Sequence, residues 1–252
     1  MAVALPPDRE TTEPGFFVCL EGIDGAGKTT AIAVAGEILR RRGSSVAFFD
    51  KKDAGFSSPY VERHMAALRE IIWGHPPDDP YLELGDFHWV HLQAAWYSAL
   101  AKCKVTPLLQ AGNLVLTDTW AWKFLAKLRL REGVDFDRAR AAFSGLIRPD
   151  LVILLRIDPR VAAARKTMFA ASEAGNHEGA VELSAQAFTA YQQRLSAVLD
   201  EFARREGWVS LDVSQSSVEQ VGHAVADRVA HHIATGRALQ ARGQAALDMA
   251  SV

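Results

Sequence analysis

The sequence is poor in cysteine, since its 252 residues include only Cys19 and Cys103. Both lie in apolar runs, where cysteines are typically small buried side chains of a protein in a reducing compartment. A basic excess is also lacking, because the formal net charge is −2. Nucleic acids and anionic membranes are bound through clustered Lys and Arg. The composition therefore predicts neither class of partner.

Long apolar runs are absent as well. No stretch approaches the roughly 20 apolar residues that span a bilayer. The first fifteen residues have no apolar core flanked by positive charge, as a signal peptide would require. These absences predict a cytoplasmic protein without a membrane partner. With 49% hydrophobic and 23% charged residues, the chain can still build a sizeable core.

What the sequence does contain is a series of short runs that are apolar at consecutive positions. Such runs are typical of strands buried on both faces of a parallel sheet. Five occur, at residues 16–20, 46–49, 114–116, 151–155 and 208–211. Helical patterns lie between or after them, at 28–42, 84–106, 159–171, 178–205 and 215–246. This alternation predicts an α/β protein with a doubly wound, five-stranded parallel sheet.

Neither an internal repeat nor a linker marks a second domain. Prolines and polar residues dominate residues 1–15, which predicts a flexible N-terminal arm before one domain at 16–235. Residues 236–252 form a tail rich in Ala, Arg and Gln. The tail is either a frayed helix or an oligomer contact, as in a homodimer, and the sequence leaves both readings open.

The motif that carries chemistry is a glycine-rich loop between the first apolar run and the first helical segment. Residues 22–29 read Gly-Ile-Asp-Gly-Ala-Gly-Lys-Thr and fit G-x-x-x-x-G-K-[ST] at every position. The glycines let backbone N–H groups turn toward phosphate oxygens, and the following helix adds the positive end of its dipole. The loop predicts an ATP site of the P-loop NTPase or kinase type, formed by Gly22, Asp24, Gly25, Ala26, Gly27, Lys28, Thr29 and Thr30.

Two residues of this site have predicted roles in charge neutralisation. Lys28 is expected to reach the β- and γ-phosphates, and the Thr29 hydroxyl is expected to ligate Mg²⁺. Magnesium usually has a carboxylate at the end of a neighbouring strand as well. Asp118 follows the apolar run 114–116 at that place. Strand-end acids also cap helices, but beside a complete phosphate loop Asp118 is interpreted as a magnesium residue.

Residues 17–30, reading FVCLEGIDGAGKTT, closely resemble the opening of thymidylate kinases. Further matches occur in order at 108–118, at 149–159 with Arg165, and at 182–183 before Tyr191. The resemblance implies phosphoryl transfer from ATP to a monophosphate and a flexible lid near residues 166–181. It also implies that Asp24, the acid inside the loop, contacts the acceptor sugar and that Asp118 holds the magnesium-linked position.

The acceptor side departs from the family pattern. The family has an arginine directly after the strand-end acid and an Asp-Arg pair in the middle helix. Here Thr119-Trp120 and Trp96-Tyr97 stand at those places. A monophosphate needs fixed cations, ideally guanidinium groups, so dTMP is predicted to be a poor acceptor. The predicted acceptor-binding residues are Asp24, Lys52, Trp96, Tyr97 and Trp120.

The predicted lid also departs from the family pattern. Some family members carry an arginine in the phosphate loop, and others carry several in the lid. This loop has none, and no Lys or Arg occurs from residue 167 to residue 193. Arg165, at the start of the lid, is therefore predicted to neutralise the transferring phosphoryl group together with Lys28. The predicted catalytic set is Lys28, Asp24, Asp118 and Arg165.

The leading prediction is an ATP- and magnesium-dependent kinase of a nucleotide or nucleoside-like acceptor. Two alternatives stay open. A kinase of a non-nucleotide small molecule, such as a specialised metabolite, would explain an intact donor site without acceptor arginines. A nucleotide-binding protein that has lost transfer activity would explain the cation-poor lid, although the retained loop and strand-end residues argue against it.

Overall fold

The computed structural model describes residues 15–50, 52, 55–74, 76, 79–175 and 183–250, with the backbone alone described at 81–82 and 237–250. Most of the predicted N-terminal arm and residues 176–181 of the predicted lid lie outside the described residues. The predicted division into arm, domain and tail stays a prediction.

Five parallel strands form the centre of the molecule. They are β1 Phe16–Glu21, β2 Val46–Phe48, β3 Leu114–Asp118, β4 Leu151–Arg156 and β5 Val209–Asp212. Their order in the sheet is β2-β3-β1-β4-β5. The crossovers after β1 lead first to one side of it and later to the other, as in doubly wound folds. The predicted five-stranded parallel sheet is confirmed.

Helices flank the sheet in the described part of the chain. They are α1 Lys28–Arg41, α2 Pro59–Trp73, α3 Asp86–Leu100, α4 Thr106–Gln110, α5 Trp122–Arg129, α6 Phe136–Ala141, α7 Pro159–Ala164, α8 Ala185–Glu206 and α9 Val218–Ala250. A π-helical turn, Ala101–Val105, joins α3 to α4. Across the residues with described placement, no helix combines the length and apolar character that a bilayer span requires.

Two expectations need correction. The helix predicted at 159–171 ends at Ala164, because the N–H groups of Arg165 and Lys166 donate to carbonyls only three residues back, which closes the helix. Cys103 is exposed on the π-helical turn, whereas Cys19 is buried in β1 as expected. Helices α2, α5 and α6 were not predicted.

The core is densest along β1, where Phe17, Val18, Cys19 and Leu20 are completely buried. Burial at consecutive positions follows from having paired strands on both edges and helices on both faces, and it explains the continuous apolar run in the sequence. Glu21, the last residue of β1, is also completely buried. The strand therefore brings a carboxylate to the start of the glycine-rich loop.

Candidate active site

The phosphate loop connects the carboxyl end of β1 to α1. Gly22, Gly25 and Gly27 have φ angles of 150°, 79° and 81°. A Cβ at Gly22 would lie 2.7 Å from the Leu155 carbonyl oxygen, and one at Gly25 would lie 3.1 Å from the Ala162 Cβ. Close packing of β4 and α7 therefore requires glycine at the first two positions. Gly27 caps α1 without a side-chain hydrogen bond, which leaves the helix N-terminus suited to an anion.

Lys28 is nearly buried, with 9% of the residue exposed. Its Nζ donates hydrogen bonds to the carbonyl oxygens of Gly22, at 3.0 Å, and Ile23, at 2.8 Å. These bonds hold the ammonium group at the beginning of the loop. That position agrees with the role of the motif's lysine, which meets the outer phosphates of a bound nucleotide.

The two predicted magnesium residues lie together. The Thr29 hydroxyl donates a hydrogen bond to Asp118 Oδ2. They meet because β1 and β3 are neighbours, with Leu20 paired opposite Asp118. Hydroxyl and carboxylate oxygens are hard ligands suited to Mg²⁺, which keeps several waters and binds substrate phosphates. Within the described ranges no group of three or more acidic, His or Cys residues forms a metal cluster, so this pair fits an ion shared with a nucleotide.

Asp24 is the centre of a buried cluster that the sequence analysis missed. Lys123, on α5, forms an ion pair with Asp24 Oδ1. Gln192, on α8, donates from Nε2 to Asp24 Oδ2 at 3.2 Å and accepts from the Asp24 backbone N–H at 3.0 Å. The side chains of Asp24 and Lys123 are only 18% and 13% exposed. Both carboxylate oxygens of Asp24 are therefore engaged by the chain itself.

Neighbouring charges set the protonation of this pair. Burial raises the pKa of Asp24, but the positive charges of Lys123, Lys127 and Lys28 outweigh it and hold the pKa well below its ordinary value. Burial lowers the pKa of Lys123, but the charge and hydrogen bond of Asp24 raise it above its ordinary value. Both side chains are therefore charged at neutral pH.

The described residues of the predicted lid contact the same cluster. Gln192 Nε2 also donates to the backbone oxygen of Glu173, at 2.7 Å. Lys127 Nζ donates to the backbone oxygen of Ser172, at 2.7 Å. Lys166 pairs with Glu173 Oε1 at 3.0 Å. Helices α5 and α8 thus contact both the phosphate loop and the lid.

Arg165 is exposed at the C-terminal end of α7. Its neighbour Lys166 makes the ion pair within the lid. The structure places no hydrogen bond or ion pair between the Arg165 guanidinium and the described residues of the phosphate loop. The catalytic role assigned to Arg165 stays a prediction.

The predicted acceptor residues Trp96, Tyr97 and Trp120 lie in the core, 2%, 3% and 2% exposed. The Tyr97 hydroxyl donates to the Trp120 backbone oxygen at 3.1 Å, and the two rings meet edge to face. Burial, together with the charge of Glu21, raises the pKa of the Tyr97 hydroxyl far above its ordinary value. Tyr97 therefore acts as a neutral donor.

A second aromatic contact lies beside the first. The rings of Trp73 and Trp96 meet edge to face, 5.0 Å between centres. Lys52 Nζ lies 5.0 Å from the centre of the Trp73 ring, an arrangement that attracts a cation. The structure thus groups Lys52 with Trp96 through Trp73. The acceptor-binding role of these residues stays a prediction.

Thr119, where the family pattern has an arginine, is strained. With φ at 79°, it is the one non-glycine residue of the described chain with a positive φ. A β-branched residue there costs about 1–3 kcal/mol and is typical of functional sites. Its N–H donates to the Leu20 oxygen at 2.8 Å, and the Trp120 N–H donates to Glu21 Oε1 at 2.9 Å. These two hydrogen bonds connect the turn after Asp118 to the end of β1.

The sequence did contain a signal for the missed lysines. Lys123 and Lys127 are four residues apart and follow closely after the strand-end acid, so a helix there presents both on one face. Gln192 had no comparable signal, because its partner Asp24 is 168 residues away in the chain.

No family model matches this chain. Among curated proteins it is similar to several named thymidylate kinase. The protein of Halalkalibacterium halodurans is 32% identical over 158 residues, which cover 60% of this chain and 68% of that protein. The protein of Synechococcus sp. (strain RCC307) is 28% identical over 223 residues, covering 84% and 95%. The protein of Pelobacter propionicus is 28% identical over 221 residues, covering 85% and 94%.

Proposed function

The chain belongs to the thymidylate kinase family and is thus an ATP-dependent kinase; from this premise we propose that it transfers the γ-phosphoryl group of magnesium-bound ATP to a nucleotide or nucleoside-like acceptor. The observation that carries the proposal is the hydrogen bond between Thr29 and Asp118. It joins the two predicted magnesium residues at the mouth of the phosphate loop.

Residues of the chain account for binding of the donor. The backbone N–H groups of the loop and of the α1 N-terminus bind phosphate oxygens, and Lys28 offsets their charge. Thr29 and Asp118 would hold Mg²⁺, which when bound neutralises charge on the β- and γ-phosphate oxygens. A Cβ at Gly27 would meet no atom within 4 Å, and this open space at the start of α1 supports a bound phosphate there.

Two arguments concern the acceptor: one its chemical class, the other how strongly its phosphate is bound. The names of the relatives support a nucleotide. The side chains at the acceptor positions support one that is gripped weakly by its phosphate, because Tyr97 and Thr119 carry no positive charge. Lys52 supplies a point charge near Trp73, but a lysine does not reproduce a bidentate guanidinium clamp. We therefore propose that dTMP is a poor phosphoryl acceptor.

No specific observation favours the two alternative functions. Loss of transfer activity fits poorly with a phosphate loop that retains Lys28 and whose Thr29 is hydrogen-bonded to Asp118. A non-nucleotide acceptor has no support in the names of the relatives. The homodimer and the cytoplasmic location also stay predictions.

Measurement of ADP formation tests the proposal. The wild-type protein is incubated with MgATP and with dTMP, other nucleoside monophosphates, thymidine or unrelated alcohols. We expect ADP formation with at least one nucleotide or nucleoside, loss of it in Lys28→Ala, and no change in Lys102→Ala, since Lys102 is exposed on the π-helical turn. If only unrelated alcohols are phosphorylated, or if nothing is, the proposed function is wrong.

A further inference from the structure

Phosphoryl transfer needs positive charge at the group that moves. In this chain the phosphate loop contains one cation, Lys28, and the segment 167–193 contains none. A second cation nevertheless touches the loop in the folded protein. It is Lys123, which comes from α5 and pairs with Asp24 inside the loop.

We propose that Lys123 is a catalytic residue, whose ammonium group is held at the phosphate loop by Asp24 and donates hydrogen bonds to the transferring phosphoryl group. It takes the place of an arginine supplied by the loop or the lid. The proposal rests on the proposed function, because it concerns the same site.

The first support is rigid placement. Lys123 lies in the first turn of α5, which begins at Trp122. The hydrogen-bonded turn at Thr119 and Trp120 comes just before this helix. Hydrogen bonds from the backbone N–H groups of that turn to the Leu20 carbonyl oxygen and the Glu21 carboxylate fix the start of α5 against the end of β1. Because the phosphate loop begins at the same strand end, the lysine and the loop share one support. A cation placed this way is preorganised for a developing charge.

The second support is unused hydrogen-bonding capacity. An ammonium group has three N–H donors. Among the described residues, the Lys123 ammonium makes one hydrogen bond, to Asp24 Oδ1. Two donors therefore remain for phosphoryl oxygens while the bond to Asp24 is kept. The opposing charge of Asp24 also keeps the lysine protonated in a largely buried position.

The third support is location between loop and lid. Lys127, one turn further along α5, donates to the backbone of the lid at Ser172. Gln192 connects Asp24 to the lid backbone at Glu173. Lys123 therefore lies between the two regions from which family members supply their arginines. In this position Lys123 can replace an arginine supplied by either region.

The reaction balances without a new co-reactant. With a monophosphate acceptor, an acceptor oxygen that is already deprotonated forms a bond to the γ-phosphorus. The bond from that phosphorus to the β–γ bridging oxygen breaks, and its electron pair leaves on ADP. Lys123 keeps its proton throughout and only donates hydrogen bonds to oxygens that carry negative charge.

A plain structural ion pair is the competing explanation, and the single variant Lys123→Met does not separate the two. It leaves a buried carboxylate without its cation, which destabilises the fold whether or not Lys123 is catalytic. The test is therefore made in an Asp24→Asn background, where no carboxylate is left behind and the amide oxygen can still accept the hydrogen bond from Lys123. Lys123→Arg in the wild-type background preserves a cation, and Lys102→Met is the matched control.

In steady-state assays we expect Asp24→Asn/Lys123→Met to have a kcat about 10²–10³-fold below that of Asp24→Asn, as for loss of a preorganised donor. The KM for ATP should change little, Lys123→Arg should retain most of the wild-type rate, and Lys102→Met should match the wild type. Equal kcat values with and without Lys123 in the Asp24→Asn background would overturn the proposal. So would an effect confined to the KM of the acceptor.

A binding measurement adds a readout that does not depend on turnover. Calorimetry of MgADP is performed with and without fluoroaluminate, which imitates the transferring group, in the presence of the nucleotide or nucleoside that gave the fastest ADP formation. The gain in affinity on adding fluoroaluminate should be present in wild type and Asp24→Asn and absent in Asp24→Asn/Lys123→Met, with affinity for MgADP alone unchanged. A gain that persists without Lys123, or that is absent from the wild type, contradicts the proposal. Failure of the proposed function gives a different result, because the wild type would then form no ADP with any nucleotide or nucleoside as acceptor.

Discussion

The donor side and the acceptor side of this site are built in different ways. On the donor side, the parts are a backbone loop, the start of a helix and two polar residues that meet at the ends of adjacent strands. On the predicted acceptor side, the parts are large side chains from α2, α3 and the turn after β3, packed edge to face in the core. A backbone loop keeps its geometry when surrounding side chains change. The packing of a side-chain cluster changes with each substitution in it.

This contrast would explain why the sequence fits the family pattern on the predicted donor side and departs from it on the predicted acceptor side. Gly22 and Gly25 have no room for a side chain, so the loop tolerates little variation. Tyr97 and Thr119, where the family pattern predicts arginines, are only 3% and 2% exposed. Five experiments test this difference.

The largest expected effect concerns the acceptor. A charge-assisted hydrogen bond contributes about 1.5–3 kcal/mol, so two missing guanidinium contacts would cost about 3–6 kcal/mol, or about 10²–10⁴ in affinity for dTMP. Measured kcat/KM values for dTMP, thymidine and uncharged alcohols provide the test. A dTMP value of about 10⁵ M⁻¹s⁻¹ or more, ordinary for an efficient enzyme, would show that other residues supply the clamp and that the two sides do not differ as described.

On the donor side, Asp118→Asn removes one negative charge from the pair with Thr29. We expect kcat to fall about 10²–10³-fold, the range for loss of an electrostatic group at a reacting phosphate. The melting temperature should change little, because the amide oxygen can still accept from the Thr29 hydroxyl. A large fall in melting temperature with a proportional loss of rate would instead make Asp118 a structural residue.

The buried ion pair of Asp24 and Lys123 should contribute to the free energy of unfolding. Lys123→Met leaves Asp24 charged and largely buried, which costs about 3–5 kcal/mol of the free energy of unfolding. Asp24→Asn/Lys123→Met should recover much of that loss, because no buried charge remains. Urea denaturation at neutral pH measures both variants. Equal stability of Lys123→Met and wild type would mean that the pair is solvated.

The same pair predicts a pH dependence. The folded pKa of Asp24 lies below its ordinary value, so the pair contributes fully above the ordinary Asp range near 3.9 and is lost as the pH falls through it toward the folded pKa. The stability difference between wild type and Asp24→Asn should therefore narrow below about pH 4. A constant difference from pH 7 to pH 3 would contradict this assignment.

How much of the molecule was predictable follows from how far apart the interacting residues are in the chain. The strands are recognisable because burial on both faces imposes a local apolar run, and the phosphate loop because all of its parts are consecutive. Asp118 could be placed because parallel strands end at one edge of the sheet. The Asp24 cluster could not, since Lys123 and Gln192 are 99 and 168 residues from their partner. The early end of α7 could not be predicted either, because no glycine or proline in residues 165–171 marks the point where the hydrogen bonds reach only three residues back.

The smallest expected effect separates Arg165 from Lys123 as the cation of the transfer. Arg165 is exposed at the end of α7, where solvent screens its charge, whereas Lys123 is largely buried at the phosphate loop. We therefore expect Arg165→Ala to lower kcat less than about tenfold, compared with about 10²–10³ for removal of Lys123. Both are measured in the same ADP assay, with Arg160→Ala, from the same helix, as the control for a lost exposed guanidinium. A loss of 10³-fold or more in Arg165→Ala alone, in the range of an arginine finger, would return the role to Arg165 and mean that the lid carries the residue to the phosphoryl group during the reaction.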